Sequence, residues 1–179
     1  SLELDARLRT ADCQLMLRQY KAARQLYQSF VELDTPAAPY AFFQLASIAG
    51  IENVNEKIRL LNELMIRYSG SDYVSTAKMS LADALLEGEK FKEAVPVLEE
   101  LLSRSSIADQ PSLLFKIAVV YYNLNENEKA LSYYQQLYEK YPSSVEAADA
   151  LEELKAVYVE LGRANEYGVY LKSRGMSIS

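Results

Sequence analysis

Small residues recur along this chain at a spacing that leaves few folds open. Ala11, Ala46, Ala82 and Ala118 follow one another at 35, 36 and 36 residues. Twelve residues beyond each stands a second position: Ala23, Ile58, Ala94 and Ala130. A fifth pair, Lys155 and Tyr167, keeps the twelve-residue offset at a step of 37. A period of this size predicts a stacked array of helical hairpins, in which each hairpin buries its apolar face on the next. Such arrays more often bind partners than do chemistry.

The residues between these positions have helical spacing. Leu114, Ile117, Ala118 and Tyr121 fall on one face, and Ala130, Leu131, Tyr134, Leu137 and Tyr138 on the face of the following helix. Alanine at both crossing points lets two antiparallel helices approach closely, and larger neighbours fill the space around them. Five helix–turn–helix units follow, about 4–34, 37–69, 72–104, 109–141 and 144–175, within one domain spanning 1–179. Gly50, Gly88 and Gly162 stand where a left-handed residue would end a first helix. Asp109 ahead of Pro111 is placed as a helix cap, and Ser143 with Glu146 has capping-box spacing. Asn62 interrupts an apolar position, and Leu61 beside it is expected to supply the contact.

Composition removes several classes of function. The chain has no histidine, and Cys13 is its only cysteine, so an internal disulfide, a thiolate–imidazole pair and a Cys/His zinc site are all excluded. Cys13 itself reads as a small buried hydrophobe. The net charge of −6 comes from the part beyond residue 70, and no basic stripe is visible, so nucleic acid is not an expected partner. No apolar run approaches the ~20 residues that span a bilayer. No glycine-rich phosphate loop or nucleophile motif is present. The adjacent carboxylates Glu99/Glu100 and Glu152/Glu153 would point apart on a helix. The reading is therefore not an enzyme, with no cofactor and no metal. The start at Ser1, without methionine, reads as an excised or processed piece of a longer chain.

The pattern resembles the tetratricopeptide repeat. The fourth unit carries the resemblance best, through Leu114, Ile117, Ala118, Tyr121, Ala130, Tyr134 and Pro142. The third carries it through Leu81, Ala82, Leu85, Ala94 and Leu98, and the first through Ala11, Leu17, Tyr20, Ala23 and Tyr27. The resemblance implies an all-α, right-handed α-solenoid of about five repeats. The small residue usual late in the second helix is replaced by Phe30, Met65, Leu101 and Leu137, which implies wider stacking between repeats. A narrower resemblance concerns the junction Tyr141-Pro142-Ser143-Ser144-Val145-Glu146-Ala147-Ala148-Asp149-Ala150-Leu151, with a weaker copy at Tyr68–Tyr73. It is similar to junctions of bacterial cell-envelope repeat proteins, among them the Tol-Pal coordinator and the lipoprotein of outer-membrane β-barrel assembly. That resemblance implies a periplasm or cell-envelope setting rather than the cytoplasm.

In that family the first helices line a concave groove. Residues three before the first small position would then point into it: Leu8, Phe43, Met79, Phe115 and Glu152. Residues one after are Asp12, Ser47, Asp83, Val119 and Ala156, and four after are Leu15, Gly50, Leu86, Tyr122 and Val159. The expected partner groove comprises Phe43, Met79, Asp83, Leu86, Phe115, Val119, Tyr122 and Asn123, edged by the acids Asp83, Glu87, Asp149, Glu152 and Glu160. Phe43 and Met79 read equally well as packing. Tyr121, Tyr134, Tyr138, Tyr158 and Tyr170 read as packing between helices. An apolar stripe with acidic edges suits a peptide or partner segment with basic flanks. Two or three buried anchors at roughly 1.5–3 kcal/mol each, less ordering costs, give about micromolar affinity. The lysine–asparagine–arginine clamp with which some family members grip acidic C-termini is not matched here, since only Asn123 is of the right type.

Two functions compete. The first is a protein-interaction scaffold that holds a partner in its groove. The second is a structural segment of a larger helical-repeat envelope protein, with no groove ligand of its own. Apolar residues at both ends, Leu2, Leu4 and Leu8 in the first helix and Val169, Tyr170 and Leu171 in the last, favour the second and imply self-association through the ends.

Overall fold

The computed structural model describes residues 1–175, so the last four residues of the expected 1–179 span lie outside the described residues. The described residues form ten α-helices and no strand. The chain divides into two compact units, Ser1–Glu89 and Lys90–Ser179. The first holds α1 (Leu2–Met16), α2 (Tyr20–Glu32), α3 (Ala38–Gly50), α4 (Val54–Arg67) and α5 (Tyr73–Glu87). The second holds α6 (Phe91–Arg104), α7 (Gln110–Asn123), α8 (Asn127–Lys140), α9 (Val145–Glu160) and α10 (Ala164–Ser173). Within each unit every helix packs on the next in sequence, and α3 also meets α5, as α7 meets α9. That alternation is what helical hairpins stacked in series produce.

The small residues hold the closest positions. Ala11, Ala23, Ala46, Ala94, Ala118 and Ala130 have no exposed surface, and Ala82 and Ile58 are buried. Leu61 is buried beside exposed Asn62, as the apolar pattern requires. Tyr27 and Tyr134 fill the space around the small residues, both fully buried. In the second unit Arg163 pairs with Glu128 and Arg174 with Glu139, each pair tying the α10 end to α8.

The fifth hairpin keeps the expected register but has no small residue at its first position. Lys155 stands seven residues before left-handed Gly162, as Ala11 stands before Arg18 and Ala118 before Asn125. Tyr167 is the fourth residue of α10, as Ala130 is of α8. Lys155 is exposed, and Leu154 beside it is fully buried, as Ile117 is beside Ala118. Tyr167 is half-buried, and its hydroxyl donates to the Leu151 carbonyl at 3.4 Å.

The turns also differ from expectation. Gly162 is left-handed, with φ of 70°, but Gly88 is not, and the left-handed residue there is Glu89 at φ 55°. Gly50 closes α3 inside the helix, where an added Cβ would meet the Lys57 side chain. Arg18 and Asn125 take the left-handed place in two other turns. In three of them the bonding is the same. Gln19 N–H reaches Gln14 C=O at 2.8 Å, Glu126 reaches Tyr121 at 2.9 Å, and Arg163 reaches Tyr158 at 2.8 Å. These are Schellman closures, which satisfy the orphan carbonyls of the first helix.

Two expected caps are corrected by the same accounting, and Asn53 adds one that spacing did not single out. Ser144, not Ser143, is the N-cap of α9, and its hydroxyl accepts from Ala147 N–H at 3.1 Å. Asp109 does precede α7, but its carboxylate accepts from Ser106 Oγ at 3.0 Å and caps no backbone N–H. Asn53 caps α4 through Glu56 N–H. Cys13 is exposed rather than buried: it stands two residues from Ala11, the buried residue of α1, a rotation of about 200° around the helix. Tyr121, Tyr134, Tyr138 and Tyr158 are buried between helices, and Tyr170 is half-buried.

Candidate functional site

The series three residues before the first position is Leu8, Phe43, Met79, Phe115 and Glu152. The first four are large, apolar and half-buried, and Glu152 is exposed. Each of the four has part of its side chain packed and part open on the face of a first helix. The residues beside them carry the larger share of hairpin closure: Leu114, Ile117 and Ala118 on α7 are buried.

In the first unit Phe43 stands on α3, with its ring 6.2 Å from that of Tyr73 on α5. Met79 and Leu86 are half-buried on α5, and Asp83 is exposed on the same helix. In the second unit Phe115 meets Tyr134 edge-on at 6.1 Å. Val119 and Tyr122 follow on α7, both half-buried. Asn123 is exposed, and its amide Nδ2 donates to the Val119 carbonyl at 2.8 Å, one turn back on its own helix. The acids Glu87, Asp149, Glu152 and Glu160 are exposed.

Asp12, placed on this face by spacing, has specific partners. Tyr27 Oη on α2 donates to its Oδ1 at 2.5 Å, and Tyr40 Oη on α3 donates to the same oxygen at 2.8 Å. Gln44 Nε2 donates to Tyr40 Oη at 2.9 Å. Burial, then the bond to Asp12, raises both phenols above their ordinary pKa, so they stay protonated and keep donating. Glu99 has a similar role in the second unit, where it accepts from Tyr121 Oη at 2.7 Å. It serves as a structural acceptor beside an aromatic pair, Tyr121 stacked on Tyr133 at 5.7 Å.

Tyr40, Gln44 and Tyr73 were not singled out by spacing. Tyr40 and Tyr73 stand six and nine residues before Ala46 and Ala82, so they occupy no common place in the repeat. Their only sequence signal is an aromatic at the first turn of a first helix.

A cavity of about 480 Å³ lies elsewhere in the first unit, lined by Arg24 and Gln28 of α2, Leu45 and Ala49 of α3, and Glu56 and Leu60 of α4. It includes none of the eight expected groove residues. Among the described residues no three His, Cys, Asp or Glu side chains are grouped to hold a metal, and no helix is long and apolar enough to cross a membrane.

Comparison with known proteins agrees with this architecture. Two family models, both described as tetratricopeptide repeat, match residues 79–145 and 5–34. No curated protein sequence matches the chain. Among solved structures, MamA (residues 41 to the end) from Desulfovibrio magneticus RS-1 is 12% identical, with a TM-score of 0.76 over 97% of this chain and 93% of that one. A second MamA structure is 18% identical, with a TM-score of 0.75 over 94% of this chain and 88% of that one. YrrB, described as a TPR protein with an unusual peptide-binding site, is 18% identical, with a TM-score of 0.72 over 90% of this chain and 79% of that one. At these identities the likeness is one of fold.

Proposed function

From a chain built of tetratricopeptide repeats, we propose a non-enzymatic scaffold that holds a peptide or partner segment on the face of its first helices. One observation carries the reading. Leu8, Phe43, Met79 and Phe115 are apolar in the first four repeats, and each keeps open surface. A face with no ligand would not need large apolar residues at each of these places, and polar ones would cost less in water. The peptide-binding site named for YrrB supports the same use of the fold.

The residues we assign to contact are Phe43, Met79, Asp83 and Leu86 in the first unit, and Phe115, Val119, Tyr122 and Asn123 in the second. The exposed acids Glu87, Asp149, Glu152 and Glu160 favour a partner with basic flanks. The test is partner capture by wild type and by a Met79→Ser, Tyr122→Ser double variant, with circular dichroism to confirm the helices. A loss of about tenfold or more is expected. Unchanged capture overturns the assignment.

A second reading, a structural segment of a larger repeat protein, has its own observation. Leu2 is 89% exposed, Met16 83% and Leu17 68% at the α1 end, and Val169 is 69% exposed on α10. Concentration-dependent self-association, lost when flanking sequence is restored, is the outcome it requires. The junction at 141–151 is the support for an envelope setting. Fractionation of source cells tests it, and recovery with the cytoplasm overturns it.

A further inference from the structure

Three first helices of the unit Ser1–Glu89 meet at one carboxylate and a run of aromatic rings. Asp12 on α1 takes two hydrogen bonds, from Tyr27 and Tyr40, both on Oδ1 and both from neutral phenols. Among the described residues no donor bonds its Oδ2, and no lysine or arginine forms an ion pair with it. The Tyr40 hydroxyl donates to Asp12 and accepts from Gln44, which fixes its ring. That ring meets Tyr73 edge-on at 5.6 Å, and Tyr73 meets Phe43 at 6.2 Å. Tyr40, Phe43 and Tyr73 are all half-buried, so ring surface stays open beside the carboxylate.

Three other tyrosine clusters have their own cations, while the Phe115–Tyr134 pair has none among the described residues. Lys129 lies 5.2 Å over the Tyr121 ring, next to Glu99. Arg67 lies over Tyr68, Arg163 over Tyr158 and Arg174 over Tyr170. No cation among the described residues lies over Tyr40, Phe43 or Tyr73. This cluster therefore has the aromatic faces and the negative charge of the others without the positive group that completes them.

We propose that Asp12, Tyr40, Phe43 and Tyr73 receive one arginine side chain of the partner segment. The guanidinium is planar, stacks on aromatic rings, and sheds its hydration more readily than an ammonium. Its fork can bond the open carboxylate oxygen while its plane lies on a ring. The inference rests on the scaffold reading and assigns the chemistry of one anchor within it.

The test is a nuclear magnetic resonance titration of the full chain with N-acetyl-arginine amide, and with the citrulline and lysine analogues. Saturating shifts at Asp12, Tyr40, Phe43, Gln44 and Tyr73 are expected with arginine at about millimolar levels, and about tenfold weaker binding with citrulline. Asp12→Asn should weaken arginine about fivefold or more. Phe43→Leu should do the same with Asp12 untouched, which keeps the test decisive if Asp12→Asn perturbs folding. Absent or scattered shifts, or equal binding of citrulline or lysine, overturn the proposal. Partner capture that is lost in Tyr122→Ser but unchanged in Asp12→Asn overturns this inference alone. Capture that neither variant alters overturns the assignment of the first-helix face as well.

Discussion

The Phe115 ring stands edge-on to Tyr134, with centroids 6.1 Å apart, and only the tyrosine of the two is fully buried. Phe115 therefore serves two ends: its inner edge packs the α7–α8 hairpin and its outer edge stays open. Phe115→Ala should cost about 2 kcal/mol of stability, less than the loss of a fully buried phenylalanine. Tyr122→Ser, on the open side of the same helix, should cost under about 1 kcal/mol. Urea denaturation of both variants checks this, and equal losses would mean that Phe115 has no distinct packing role.

Leu154 and Lys155 test which residue closes the fifth hairpin. Leu154 has no exposed surface and Lys155 is exposed. Leu154→Ala should cost about 2–4 kcal/mol, while Lys155→Ala should stay within about 0.5 kcal/mol. A larger loss at Lys155 would mean that the first position of this repeat, and not the residue before it, carries the closure.

How much could be read in advance follows from which interactions are local. The helices and their small crossing residues were legible because helical periodicity and a 35–36-residue repeat both constrain them. Leu154 was not singled out because it stands one residue before the first position of its repeat. Cys13 was expected inside on residue type alone, and residue type does not say which side of α1 is covered. Ser144 took the cap expected of Ser143, a one-residue shift that capping patterns do not resolve. Tyr40, Tyr73 and Asp12 come together only through three helices, so no spacing rule could group them.

Buried phenols set the alkaline limit of stability. Burial pushes Tyr138 up to about 12 from an ordinary 10.0, and Tyr27, Tyr121 and Tyr134 are raised as well. An unfolded chain releases these protons near pH 10 while the folded chain retains them, so between the two values the folded state binds more protons. The stabilisation is complete below about pH 10 and is lost as pH rises toward the folded values, by at most about 1.4 kcal/mol per pH unit for each phenol. Tyr138→Phe should flatten that fall by one phenol's share. Tyr134→Phe should do the same and also raise neutral-pH stability by roughly 1 kcal/mol, since no described protein group bonds its buried hydroxyl. Urea midpoints from about pH 8 to 11 decide both.

The turns offer a stabilising change with a matched control. Arg18 holds φ of 59° at an exposed turn whose closure, Gln19 N–H to Gln14 C=O at 2.8 Å, matches that of Arg163 to Tyr158 around Gly162. A side chain at left-handed φ crowds its own carbonyl, at a cost of roughly 1–2 kcal/mol. Arg18→Gly relieves this and returns part of it to unfolded-chain entropy, leaving a gain of about 0.5–1 kcal/mol. Gly162→Ala is the reverse experiment. Nothing lies within 4 Å of the Cβ it would add, so its expected loss of about 1 kcal/mol comes from backbone conformation alone. Thermal melts of the two variants should move in opposite directions. Movement in the same direction would mean that the turns do not share one closure.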